Sequence, residues 1–127
     1  MAIVGCQRPM AWVEPPAATY TVATFQMATD TAPPSAVDGA KVTTDFFEKA
    51  HVTPILGRAF GKADVSGGSD VVILGESLWK ERFSGDAAIL GTLIRLDSKP
   101  FVIIGVVPAG YNFPKNARLW TPKRAGG

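Results

Sequence analysis

A two-residue period first becomes clear at Thr19. Tyr20, Val22, Thr24 and Gln26 alternate with Thr21, Ala23, Phe25 and Met27, and the stretch is rich in β-branched and aromatic residues. This predicts a strand over Thr19 to Asp30 with both faces partly covered. Pro33-Pro34 is expected to break the strand and form the turn, so that Ala36 to Val42 returns as a second, antiparallel strand. Upstream, residues 1 to 18 keep neither a helical nor a strand period and are punctuated by Pro9, Pro15 and Pro16. They read as a loosely ordered arm.

Beyond Val42 the periods mix. Thr44 or Asp45 can N-cap a short helix to about Ala50, with Phe46 and Phe47 facing the core and Glu48 near the positive end of the helix dipole. Pro54 stops it. Ile55 to Phe60 reads as extended or turning, with Gly57 and Gly61 as bends, and Lys62 to Asp70 as a solvent loop. Val71 to Leu74 is a continuous apolar run, as in a strand buried on both faces. Gly75 then opens a helix to about Phe83. Leu78, Trp79 and Phe83 form its apolar stripe, and Glu76 and Lys80 make an i, i+4 pair. Gly85 is expected in the left-handed position that ends the helix. Asp86 caps a further turn, Ala87 to Leu90, closed by Gly91. Thr92 to Leu96 and Pro100 to Val107 form a hairpin through Asp97-Ser98-Lys99, and Leu119-Trp120 adds a last short strand. The order β-β-α-β-α-β-β gives the expected fold class: α+β, with a mixed, mostly antiparallel sheet, two short helices packed on it and a hairpin near the C-terminus.

The 127 residues make one domain with one modest core. Charged residues reach only 19%, below the usual ~25%, which suggests a surface partly covered by a partner. Net charge is +2 with the basic residues scattered, too little to argue for nucleic acid. The single cysteine, Cys6, excludes an intrachain disulfide. The longest apolar run, Phe101 to Val107, is far shorter than the ~20 residues of a membrane helix. Residues 1 to 4 are too short for the apolar region of a signal peptide.

Candidate chemistry is sparse. His51 is the only histidine, and with Cys6 it supplies neither a zinc site nor a triad, so it reads as structural or exposed. Gly57-Arg58-Ala59-Phe60-Gly61-Lys62 has three residues between its glycines and Ala63 after the lysine, so it lacks the spacing and the hydroxyl of a phosphate loop. Ser77-Leu78-Trp79-Lys80 fits S-x-x-K without its companion motifs; the plainer reading is an amphipathic helix with Ser77 in solvent. The carboxylates Asp45, Glu48, Asp64, Asp70, Glu76, Glu81, Asp86 and Asp97 fall on caps, turns and exposed faces. Lys115, Arg118, Lys123 and Arg124 lie among Tyr111, Phe113 and Trp120, a basic tail that reads as a solvated loop rather than a nucleic-acid platform.

An ordered series of short motifs carries more than any of these. Gly39 to Thr43, Asp45-Phe46-Phe47 and Val52 to Phe60 are followed by Val71 to Leu74, Leu78-Trp79, Arg82-Phe83 and Gly85-Asp86. Ile89-Leu90-Gly91, Ile94 to Asp97, Pro100 to Pro108, Gly110 to Pro114 and Leu119 to Pro122 complete it. Over residues 37 to 122 the series resembles the MacB-like periplasmic core domain, the extracytoplasmic part of FtsX-like ABC transporter permeases. The resemblance implies a domain set between two membrane helices. That domain is non-enzymatic and couples an ATPase cycle to export or lipoprotein handling.

The same resemblance implies the periplasmic side of the inner membrane. Its partners would be other permease segments or a second permease copy, with an ATPase subunit only indirectly. It implies no catalytic, cofactor or metal residues: Gly57 and Gly91 are turn formers, Trp79 and Phe83 core, and Arg58 a buried partner for Asp64 or Asp70. Met1 to Ala18 matches no opening of such a domain, and Ala50-His51 stands where Leu-Gly is frequent. The expected organisation is therefore an arm (1–18), a partial core domain (19–122) and a tail (123–127), with self-association through an apolar edge. A free-standing soluble protein-binding module derived from such a domain is the alternative, and a small hydrolase using Ser77 and Lys80 a third reading.

Overall fold

A computed structural model describes residues 19–29, 32–61, 70–108, 111, 113 and 117–122. Its elements are β1 (Tyr20–Thr29), β2 (Ala32–Val42), α1 (Phe46–Ala50), β3 (Leu56–Gly57), β4 (Val71–Gly75), α2 (Glu76–Phe83), a 3-10 turn (Ala87–Ile89), β5 (Leu93–Leu96), β6 (Lys99–Val107) and β7 (Leu119–Pro122). The expected α+β class, mixed sheet and C-terminal hairpin are all present. The solvent loop expected over Lys62 to Asp70 lies, apart from Asp70, outside the described residues.

The strands form one sheet in the order β3-β6-β4-β7-β2-β1-β5, and β5 also pairs with β6. Following the ladders from β6 through β4, β7, β2, β1 and β5 therefore returns to β6. This ring of six strands was not legible in the sequence. Its long-range pairings are β1 with β5, two parallel pairs (β2 with β7, β4 with β6) and the antiparallel pair of β4 with β7, and none leaves a turn signal.

The sheet is covered on both faces, as the unbroken burial of Val71–Gly75 shows. Val71 and Ile73 join one cluster, under Phe46 and Phe47 of α1, with Val42, Phe60, Tyr111 and Trp120. Val72 and Leu74 join the other, with Phe25, Met27, Ile94, Leu96, Ile103 and Leu119, closed by Leu78 of α2 and Ile89 of the 3-10 turn. At ~0.8 kcal/mol per buried methylene, these two clusters are the main source of stability.

Four local expectations need correction. Pro33 and Pro34 are not the turn: β2 already includes them, and Thr29 pairs with Ala32. They are tolerated because the β1 register is irregular between Met27 and Thr29, while β7 reaches only Gly39–Val42. A missing N–H there costs little. The hairpin loop has two residues, not three, because Leu96 pairs with Lys99. Asp97 and Ser98 both take positive φ (54° and 70°), as a type I′ turn requires. Ser84 (φ 58°) takes the left-handed cap of α2, with Gly85 (φ 65°) following it. Asp45 occupies the N-cap position of α1 without capping by its side chain; its Oδ1 instead accepts a bond from Thr43 Oγ1 at 2.6 Å.

β3 is an added strand where only an extended turn was expected. It exists because two glycines let two backbones touch. Gly57 pairs with Gly105, has φ 75°, and a Cβ there would run into the Ile104 carbonyl. A Cβ on Gly105 would lie 2.5 Å from the Arg58 carbonyl. Neither position has room for a side chain.

Candidate functional site

The sequence candidates for chemistry stay apart. His51 is exposed at the C-cap of α1 in the left-handed region (φ 61°). Ser77 is exposed in the first turn of α2, and Lys80 Nζ lies 3.0 Å from Glu76. Among the described residues no three His, Cys, Asp or Glu side chains gather as metal ligands.

Arg58 is exposed rather than buried, with Nη1 donating to the Ala59 carbonyl at 3.2 Å. Asp64 lies outside the described residues, and Asp70 meets Lys99 at 3.7 Å. Of the basic tail, Lys115, Lys123 and Arg124 lie outside the described residues. Tyr111 and Trp120 are buried and Phe113 half-buried, so those rings belong to the core. Trp120 packs on Phe47 and Tyr111 at 5.5 and 5.8 Å between centroids and donates Nε1–H to the Phe113 carbonyl at 3.0 Å. Burial pushes the Tyr111 phenol well above its ordinary pKa.

Trp79, expected in the core, is only half-buried. Its ring packs against the Leu78 cluster while Nε1–H donates to the Asp86 carbonyl at 3.0 Å. It thereby ties α2 to the 3-10 turn, whose cap is the Asp86 carboxylate accepting from Ala88 N at 2.9 Å. Sequence reasoning missed a polar seam between α2 and the sheet. Arg118, just before β7, pairs with Glu81, and Arg82 Nη2 donates to Ser35 Oγ of β2 at 2.6 Å. The hydrogen bond and charge of Arg118, then the charge of Arg82, hold the Glu81 carboxyl below its ordinary value. The i, i+1 spacing of Glu81 and Arg82 gives no hint of these partners, one in β2 and one just before β7.

What the arrangement offers is surface. Thr29, Leu93, Arg95 and Pro100 line a shallow cleft of about 390 Å³ beside the β1–β5 junction. The exposed large apolar side chains among the described residues are Val22, Ile55 and Leu93. The strand ends are also placed in a telling way. Val42, at the end of β2, pairs with Tyr20, where β1 begins, and with Pro122, where β7 finishes. The described body is thus entered and left at one end of the sheet, from strands two places apart and so ~10 Å from each other.

Comparison with known proteins completes the description. The profile of the MacB-like periplasmic core domain family matches residues 5–126, extending beyond the 37–122 covered by the sequence motifs. No curated protein sequence matches the chain. Among solved structures, the periplasmic region of MacB from Actinobacillus actinomycetemcomitans superposes with a TM-score of 0.69 at 23% identity, over 86% of this chain and 51% of that one. The extracellular domain of the noncanonic ABC-type transporter YknZ from Gram-positive bacteria gives 0.65 at 15%, over 82% of this chain and 52% of that one. A domain of a putative permease protein from Porphyromonas gingivalis gives 0.60 at 17%, over 81% and 44%. At these identities the likeness establishes the fold, and the chain spans about half the length of the chains it matches.

Proposed function

The chain belongs to the MacB-like periplasmic core domain family of ABC transporter permeases, and from that premise we propose that it is a non-catalytic extracytoplasmic module of such a permease. It stands on the periplasmic side of the inner membrane and passes motion from the ATPase cycle to export or lipoprotein handling. Its contacts are with other permease segments or a second permease copy, and with the ATPase only indirectly. Residues 19–122 are assigned to a part of that core domain, 1–18 to an arm before it and 123–127 to a tail.

The observation that carries this reading is the family match over residues 5–126, together with the fold shared with the periplasmic region of MacB over 86% of this chain. No helix among the described residues is long and apolar enough to cross a membrane, so the spans would be supplied by flanking sequence.

The test is to express the gene with its native flanking DNA and fractionate the cells. The protein is expected in the inner-membrane fraction and to be cut by protease added to intact spheroplasts. Recovery as a soluble cytosolic protein, protected until lysis, would overturn the proposal and leave the free-standing binding module as the reading.

A further inference from the structure

We propose that the outer edge of β1 is a self-pairing surface, on which a second copy of this chain lays its own β1 antiparallel, with Val22 facing Val22. The inference deepens the partner part of the permease reading, although it stands on strand geometry rather than on family membership.

The direction of the main-chain groups is fixed at both ends of β1. Thr43 N donates to the Thr19 carbonyl at 2.8 Å, beyond the Tyr20–Val42 pair, so Thr19 faces β2. At the other end Gln26 faces away from β2: its carbonyl accepts from Asp97 N at 2.9 Å, and its N–H donates to Asp97 Oδ1 at 2.9 Å. Successive residues of an antiparallel strand turn their N–H and C=O to alternate edges. Odd-numbered residues therefore bond β2, and Tyr20, Val22 and Thr24 present both groups to the opposite edge. β5 occupies that edge only at Met27 and Ala28. Among the described residues no strand pairs with it between Tyr20 and Thr24. Thr21, Val22 and Thr24 are exposed, Val22 at 43%.

Open edges are normally blunted by charge, proline, bulges or brevity. The free side of β2 follows that rule: it carries Pro33, Pro34 and Asp38, and Arg118 N donates to the Asp38 carbonyl. β3 is only two residues long. β1 does not follow it. From Thr19 to Thr29 there is no Lys, Arg, Asp, Glu, Pro or Gly, and the register is regular from Tyr20 to Met27.

The occupant that best fits this edge is the edge itself. A two-fold antiparallel pairing places Val22 on the axis and Tyr20 opposite Thr24 on each side. Each pair then exchanges both main-chain bonds, and aromatic and β-branched residues meet across the ladder. No like charges oppose each other, whereas a charged foreign strand would find no counter-charge in β1. Both strands are already extended in the folded chain, so little ordering cost opposes the union.

Sedimentation equilibrium of the full 127-residue chain tests this, with Val22→Lys and Val22→Glu alone and mixed one to one. The wild type is expected at twice the 13.4 kDa chain mass in the tens of micromolar range, each variant at the single mass, and the mixture again at twice it. Only a residue facing its own counterpart gives that rescue. Circular dichroism checks the fold of each variant. Should a charge variant lose the wild-type spectrum, Thr24→Pro, which deletes the outward N–H along with the exposed hydroxyl that donates to Asp38 Oδ1, takes its place, with its own spectrum checked, and is expected to be monomeric. A monomeric wild type, an undiminished Val22→Lys or Thr24→Pro dimer, or a mixture that stays monomeric while both charge variants keep the wild-type fold overturns the inference. None of these outcomes touches the spheroplast result, and failure of that test leaves the edge pairing standing.

Discussion

Gly57 and Gly105 show what one hydrogen atom in place of a side chain allows. A methyl at Gly57 combines a positive φ with a collision against the Ile104 carbonyl. Gly57→Ala is expected to destabilise by at least about 2 kcal/mol, read as a lower urea midpoint at unchanged slope. Asp86→Ala, which leaves Ala88 N–H uncapped, is expected to cost about 1 kcal/mol in the same experiment. The Glu81 carboxyl has its folded pKa lowered by Arg118, so its contribution is complete above the ordinary carboxylate range and fades as pH falls through the lowered value. Glu81 is solvent-exposed, so screening keeps the effect small. Thermal melts from pH 7 to pH 3 are expected to show a flatter acid limb for Glu81→Gln than for the wild type. The bend at Gly57 was readable from the sequence. Its partner Gly105 was not, because nothing local says which strand will lie against a bend.

The elements differ in what sustains them. The five residues of α1 are too few to persist on helix propensity. α1 exists because Phe46 and Phe47 are buried against β2, β4 and the Tyr111–Trp120 pair. Phe47→Ala is expected to cost about 3–5 kcal/mol and to change the near-ultraviolet signal of Trp120, measured by urea unfolding and circular dichroism. Both helices and most of the strands were legible, since periodicity, caps and paired phenylalanines are local signals. The exact extent of β2 was not. Prolines are read as breakers, yet they are admitted where a ladder is irregular and one edge is bare. The polar seam of Arg118, Glu81, Arg82 and Ser35 was invisible for a related reason, since its members are brought together only by the crossing of β7 and β2 past α2.

The described residues form a ring of strands with a core on either face. The motif series pointed to the right family because turn glycines and core aromatics record a fold's geometry along the chain. A working surface leaves a weaker trace. The open edge of β1 could be suspected from its lack of charge, but was located only when β5 was seen to cover Met27 and Ala28 and nothing before them. The shared end of β1 and β7 likewise exists only in three dimensions.

The position of β7 has a consequence for how such a protein is made. The last strand among the described residues sits in the middle of the sheet, joining β2 to β4. While the ribosome still holds residues 119–122, the β1–β2 hairpin and the later strands have no strand between them to complete the layer. Assembly must then wait until residues 119–122 have left the ribosome, rather than advance strand by strand behind the growing end. A chain stopped at residue 117 is expected to show no cooperative unfolding transition, and a peptide of residues 117–122 supplied in trans to restore one by filling the central slot.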